Sequence, residues 1–426
     1  MKTIRTRSAL LAGAALVLAS AAVAVAPAPA WAAAGTTRVS SSSSGAPGDG
    51  PSEAPWATAD ARFVGFSSSA TNLVPGDTNF AEDVFLRDRT TSRTERISVA
   101  SDGSQGQYPS MRPAISADGR YIAFDTLSTL VPDDTNGQTD VFLRDRQAGT
   151  TTRLSMGTGG AQANGSSYGA SISPDGRYVA FTSYASNLVT GDTNAVADVF
   201  LLDRQTGGVT RVSVNASGQA ANGSSDSGTV SADGRYVAFE SQASNLVSGD
   251  SNSSMDVFVK DFSTGAVQRV SVTSGGAQFG GGGSAPSMSA DGRYVSFSGQ
   301  PTNALAQLYV RDRTAGTTTL VSVGTDGKPG NYATFQGTIS ANGRYVGFGT
   351  GATNIVPGSP NYFNSFVRDL VTGHTTLASL TYTGAPIMES TLYQTMTNAG
   401  LVFVAFAAGV VPDAVGRQEQ VYFRSF

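Results

Sequence analysis

The sequence contains no cysteine, one histidine and two tryptophans in 426 residues. Without cysteine there is no disulfide, no thiol nucleophile and no site for lipid attachment, so the fold must hold by packing and hydrogen bonding. The one histidine, His374, follows Gly373 in a turn, which leaves no histidine-dependent triad and no histidine-rich metal site. Lysine is nearly missing as well: after residue 32 only Lys260 and Lys328 remain. The formal charge is −4, and removing Lys2, Arg5 and Arg7 with an N-terminal leader would make it −7. Clustered basic residues are what phosphate neutralisation requires, so nucleic acid is a poor candidate partner. Long apolar runs are absent beyond the first 32 residues, so no membrane span is expected after leader removal. No window of ten or more residues keeps a 3.6-residue period without Gly, Pro or Asn breaking it, which excludes helical classes.

Residues 1–32 have the layout of a secretory signal peptide. Lys2, Arg5 and Arg7 precede an apolar run from Ala9 to Ala26, and Ala30-Trp31-Ala32 supplies a small-x-small cleavage pattern. Thr6 separates the two arginines, so the general secretory route is expected rather than the twin-arginine route. The mature protein is expected to be secreted, extracellular and monomeric.

From there on one module recurs. Ala-Asp-Gly-Arg-Tyr-Val-Ala-Phe, or a close variant, spans 117–124, 174–181, 232–239 and 290–297, with weaker copies ending at Phe66, Phe348 and Phe406. The marker phenylalanines are spaced 58, 57, 58, 58, 51 and 58 residues apart. Each period resolves into four short β runs joined by Asp/Gly turns. In the third unit these are strand a near Gly169–Ser173, strand b at Arg177–Thr182, strand c at Asp198–Asp203 and strand d at Val209–Val214. Four meandering strands per unit make a propeller blade, and seven units make an all-β, seven-bladed β-propeller over residues 35–426 as a single domain. The chain ends at strand c of the last unit, Gln420–Phe426, while Thr36–Ser40 matches strand d of the others. The first mature strand is therefore expected to pair with the last blade and close the ring.

The order Ser-x-Asp-Gly-Arg-Tyr-Val-Ala-Phe followed by Asp-Val-Phe-Leu-x-Asp resembles the TolB-type, WD-repeat-like propeller repeat. The Asn-Leu-Val-x-Gly-Asp-Thr-Asn loops bring it closest to exported actinobacterial propellers. The resemblance covers the whole mature chain and implies the fold; propellers host binding, structural and enzymatic roles alike.

In such a meander the a–b and c–d turns share one face of the disc, and the longer b–c and d–a loops share the other. The long-loop face is the expected binding face. Its b–c loops carry Asp-x-Asn-x-x-x-Asp four times, as Asp77/Asn79/Asp83, Asp134/Asn136/Asp140, Asp192/Asn194/Asp198 and Asp250/Asn252/Asp256. Converging oxygen ligands of this kind suit calcium, the candidate cofactor. The same residues also suit side-chain-to-backbone turns, and both readings stand. The fifth unit is shortened in this loop and lacks the motif.

Two repeated sets read as structural: the arginines at 62, 120, 177, 235, 293 and 344, and the aspartates at 88, 145, 203, 261, 312 and 369. Gly165-Ser166-Ser167-Tyr168-Gly169 matches a nucleophile-elbow string but precedes a strand rather than a helix. Asp125 and Glu240 are acids that do not repeat, standing just after strand b of units two and four, and are expected to be ordinary solvated loop-entry carboxylates before candidates for catalysis. The leading expectation is a secreted, non-enzymatic binding or scaffold module for a cell-wall, carbohydrate or protein partner. The alternative is an extracellular polysaccharide lyase or glycosidase using carboxylates near the central channel. A cluster of unlike charged groups at the channel mouth would favour the alternative.

Overall fold

A computed structural model describes residues 35–157, 159–406, 408–414 and 418–426. The signal peptide expected at 1–32 lies outside the described residues. Seven four-stranded antiparallel sheets succeed one another around a ring, with no helix among the described residues. The protein is a seven-bladed β-propeller. In the third blade the strands are Ser167–Ile172, Tyr178–Ser183, Asp198–Asp203 and Gly208–Arg211.

Strands b and c are apolar on both faces because each is covered by a neighbouring blade on either side. The marker phenylalanine pairs with a phenylalanine of strand c, as in Phe66–Phe85, Phe124–Phe142 and Phe181–Phe200, with centroids 5.9–6.1 Å apart. All six rings are fully buried. In the seventh blade this position belongs to Phe403, which packs on Tyr422, and not to Phe406. The marker was misplaced by three residues because Phe406 preserves the 58-residue spacing, whereas the blade's a–b segment is shorter.

The Asp-Gly-Arg-Tyr turn fixes how blades stack. Gly119, Gly176, Gly234 and Gly292 have φ between 68° and 73°. A Cβ there would lie 2.3–2.6 Å from the Phe63, Tyr121, Tyr178 or Tyr236 ring of the preceding blade. Only glycine offers both the left-handed backbone and the space for that ring. The following arginine forms a two-pronged ion pair with the aspartate ending strand c, for instance Arg177 Nε and Nη2 each 2.8 Å from Asp203. The same carboxylate accepts the c–d turn amide of Gln205 at 3.0 Å. The two repeated sets are thus structural, as expected, and hold six blades in one way.

The ring closes through Thr36–Arg38, which pairs antiparallel with Tyr422–Arg424. Val39 N donates to Val421 O at 2.8 Å, and Ser40 Oγ donates to Gln420 Oε1 at 2.7 Å. The last blade therefore has four strands drawn from both ends of the chain.

Candidate functional site

The b–c loop motifs come together as expected, but around an arginine that the sequence reading had not linked to them. Arg211 of strand d places Nη1 3.0 Å from Asp192 and 3.4 Å from Asp198. Arg96 lies likewise between Asp77 and Asp83, Arg269 between Asp250 and Asp256, and Arg153 against Asp134 with Asp140 at 3.8 Å. Asn79, Asn136, Asn194 and Asn252 turn the amide nitrogen, not the oxygen, toward the second aspartate at 2.8–3.1 Å. This donor set does not fit a hard cation, because a guanidinium already stands between the carboxylates and the asparagine presents a donor. In blades five and six charge is lost in pairs, whereas blade seven, with Gln420 at the second aspartate's place, keeps Arg38 and pairs it with Asp413. Where blades five and six replace the second aspartate by Gln307 and Asn364, the arginine is replaced by Leu320 and Leu377. That covariation was legible in the sequence and marks an ion-pair clasp.

The long d–a loops are also largely committed to the scaffold. Each contains a small hairpin bridge, such as Val99 with Gln105 or Val272 with Gln278. The hairpin straps the next blade: Thr151 Oγ1 donates to Val99 O at 2.5 Å and Thr318 Oγ1 to Val272 O at 2.6 Å. Much of the face expected to bind is thus occupied with its own hydrogen bonds.

The exception is the centre. Strand a carries a bulge at its third residue, where Ala54, Arg112, Gly169, Ser227, Ala285 and Tyr393 all have φ of 45–66°. A bulge re-aims its side chain, here into the channel. These residues and Gln336 ring a cavity of about 390 Å³. Toward the short-turn face the channel becomes apolar, lined by Trp56, Ile172, Val230, Met288, Ile339 and Met396. There the a–b turns bond head to tail, Ala117 N to Pro174 O, Ala232 N to Ala290 O, Ala290 N to Ala341 O and Asn398 N to Ala59 O, at 2.8–2.9 Å. A ligand would meet the polar mouth first, on the long-loop face.

Around this mouth the blades cease to be alike. Asp125, buried, accepts from Arg112 Nη1 at 2.9 Å and from Gly169 N at 3.2 Å. Burial raises its pKa against the pull of Arg112. Asp226 accepts from Ser227 N at 2.6 Å, Thr182 Oγ1 at 2.8 Å and the Tyr168 hydroxyl at 3.0 Å. Burial, then Asp226, pushes the Tyr168 phenol far above its usual value. Glu240 accepts from Ala285 N at 2.7 Å, and burial raises its pKa too. Asp125 and Glu240, expected as solvated carboxylates just after strand b, instead lie within it and are hydrogen-bonded, Asp125 buried beneath Arg112 and Glu240 lining the cavity beside the mouth.

A second group of acids was not evident from the sequence pattern. Glu53 lies on strand a of blade one, Glu82 just before its strand c, and Glu419 just before strand c of blade seven. Ring closure brings Glu419 against blade one, where Ser52 N donates to Glu419 O at 2.8 Å; the equivalent bond from Ser110 N to Glu82 O, also 2.8 Å, joins blades one and two. Burial, then the charge of Glu53, pushes the Glu82 carboxyl up to about 7. Burial, then Glu53, also raises Glu419 and Tyr393. Between this arc and Glu240 an apolar sector with Phe335, Phe363 and Leu392 adjoins Tyr393 and Gln336 around a further cavity of about 510 Å³. The signal was available: of the seven residues preceding strand c, only the first and last are glutamate.

No family model matches the chain, and no curated protein matches it. Among solved structures, an oligogalacturonate lyase in complex with manganese is similar at a TM-score of 0.58 and 12% identity, over 92% of this chain and 93% of that one. The likeness is one of fold. The β-propeller domain of the trilobed protease from Pyrococcus furiosus, described with an open velcro topology, has a TM-score of 0.54 and 10% identity over 88% of this chain and 95% of that one. The present ring differs in being closed by its N-terminal strand. TolB from Acinetobacter baumannii is also among the similar structures, at a TM-score of 0.41 and 19% identity over 69% of this chain. This chain spans 58% of the length of that TolB. No helix among the described residues is long and apolar enough to cross a membrane.

Proposed function

We propose that the protein is an exported binding propeller that takes a carbohydrate or protein ligand of the cell exterior at its channel mouth. One observation carries this reading. The scaffold repeats the same clasps in most blades, whereas the residue that faces the channel mouth, third in strand a of six blades and just before strand a in the sixth, is alanine, arginine, glycine, serine, alanine, glutamine and tyrosine in turn. A purely structural ring has no reason to vary most where side chains face an open cavity, and concave sites with a few convergent polar groups are where ligands bind. Export rests on the basic, apolar and small-residue layout of residues 1–32.

The test is binding to isolated cell-wall polysaccharides and to a glycan array. The native chain is compared with Gln336→Trp, which fills the mouth, and Phe80→Ala, which trims an exposed b–c loop. Loss in the first and retention in the second is expected. The opposite pattern would move the site to the loops.

A second reading, a glycosidase or lyase, is favoured by Glu82. A carboxyl titrating near neutrality beside other carboxylates and a tyrosine is equipped to exchange a proton. New reducing ends from a polysaccharide, formed by the native chain and not by Glu82→Gln, would establish that reading.

A further inference from the structure

We infer that the mouth binds a neutral, β-linked hexopyranose chain stacked on the aromatic side chains of blades six and seven, an inference that rests on the channel-mouth reading above and adds the ligand's chemistry. The cavity of about 510 Å³ beside the mouth carries it. Ser227, Ala285, Gln336, Tyr393 and Gln394 line both this cavity and that of the mouth, so the two adjoin.

Three aromatic side chains line this cavity, each at a position where several other blades have a small or polar residue. Phe335 takes the place of Glu53 and Asp226 in blades one and four, Phe363 that of Thr139 and Ala197 in blades two and three, and Tyr393 that of Gly169 and Ser227 in blades three and four. With Phe335 58% and Tyr393 45% exposed, neither ring owes its place to core packing. Tyr393 also has φ of 45°, a left-handed backbone that is strained for a bulky residue. Gly349 lets the floor of the cavity form. The other blades have Ser67, Asp125, Thr182, Glu240, Ser298 and Val404 at that place, whereas a Cβ on Gly349 would lie 2.6 Å from both the Phe363 ring and the Gln394 amide.

The polar groups beside the rings are amides and one carboxylate. The exposed amide of Gln336 makes no hydrogen bond to a protein group among the described residues, so its donors and its acceptor face solvent. Glu240 accepts from Ala285 N at 2.7 Å and from Ser227 Oγ at 3.3 Å, which leaves lone pairs for a ligand hydroxyl. A hexopyranose with equatorial substituents matches both features: its flat C–H faces cover aromatic rings, and its edge hydroxyls both donate and accept. β-Linkage keeps successive rings in an extended ribbon with those faces bare. No lysine or arginine lines the cavity, so an acidic sugar would meet a carboxylate and no cation. A peptide would take its affinity from backbone bonds to a sheet edge. That edge is broken by the bulge in blade seven, and in blade six strand a begins only at Gly337.

Isothermal titration of the full mature chain with cellohexaose, with the β-linked N-acetylglucosamine hexamer and with C6-carboxylated cellohexaose tests the inference. At least one of the two neutral hexamers is expected to bind, at least about tenfold more tightly than the carboxylated one. For whichever binds, Tyr393→Gly and Phe335→Ala should each weaken affinity about tenfold, and Tyr393→Phe, which keeps the ring, should stay within about threefold of native. Tyr393→Gly should melt no lower than the native chain, because glycine adopts the left-handed backbone without strain. Equal affinity for neutral and carboxylated hexamers, abolished by Gln336→Trp, would overturn the neutral-chain inference and leave the mouth reading standing. Binding untouched by Tyr393→Gly, Phe335→Ala and Gln336→Trp would overturn both. Absence of binding by either neutral hexamer at millimolar concentration would overturn the inference alone. A peptide array bound by the native chain and not by Gln336→Trp would then give the mouth to a protein partner.

Discussion

Replacing Arg211 by leucine, the residue that blade five carries at the same place, tests whether the b–c loops are held by ion pairs. The substitution leaves Asp192 and Asp198, with side chains 4% and 0% exposed, without their shared cation. Breaking a buried pair by removing one partner costs about 3–5 kcal/mol. Asp198 keeps Asn194 Nδ2 at 2.8 Å and the Ser213 hydroxyl, so about 2–3 kcal/mol is the expected loss here. With an unfolding entropy of about 2 cal/mol/K per residue over about 390 residues, that is a drop of about 3 °C in the melting midpoint. A urea midpoint gives an independent measure. Burial already raises the Asp192 pKa and Arg211 opposes the rise, so the variant's defect should shrink as the pH falls toward 4 and Asp192 protonates. Combining R211L with D192N and D198N, which imitates the uncharged blades, should recover all but about 1 kcal/mol. EDTA and added calcium should leave the native midpoint where it is. The reasoning fails if the triple variant melts no higher than R211L, or if chelation lowers the native midpoint by several degrees.

Three further expectations follow from the packing and the mouth. Deleting the mature chain through Ser40 removes strand d of the seventh blade together with buried Val39, and should cost on the order of 5 kcal/mol and invite aggregation at the bared edge; an unchanged melt would refute the closure. Gly234→Ala, at φ 71° with its Cβ 2.3–2.5 Å from the Tyr178 ring, should cost about 2–4 kcal/mol, against about 1 kcal/mol for Gly249→Ala, which has the same backbone strain and open space. Equal melts for those two variants would show that blade stacking does not depend on the bare turn. The folded-state pKa of Glu82, about 7, lies above its ordinary 4.5, so its favourable contribution is complete below pH 4.5 and is lost as the pH rises through 7. Glu82→Gln should therefore match the native chain near pH 4 and exceed it by about 1–2 kcal/mol at pH 8, the full shift being roughly halved for a partly exposed side chain; a variant less stable at pH 8 would contradict the burial argument.

The ring was legible because its determinants are local and repeated. Gly234 and Tyr236 sit within one turn of chain, Phe239 and Phe258 recur with the blade, and Thr36–Arg38 has the composition of a strand that the count of the others shows to be missing. The clasp was half legible. Asp192, Asn194 and Asp198 are close in sequence, but Arg211 arrives from strand d, and only the paired changes to Leu320 and Gln307 in blade five and to Leu377 and Asn364 in blade six betray the link. The error at Phe406 has a similar origin: a spacing rule tracks the period and not the pairing, and in the seventh blade the two part by three residues.

The mouth was least legible for a physical reason. Ring closure draws Glu419 to Glu53 and Glu82 of blade one across more than three hundred residues of chain, so no window of sequence contains all three. Their convergence depends on the first strand being captured by the last blade. That capture ties stability to the site: the strand that removes the open edge also brings the carboxyl of Glu419 beside that of Glu53, and like charges so placed oppose closure as the pH rises. A ring built only for stability gains nothing from acids at its seam, where a neutral residue such as Thr139 or Ala197 serves the other blades. Of the three, Glu419 alone stands at the junction the fold must close, so its repulsion with Glu53 is a cost that the closure itself carries and that the other blade junctions do not.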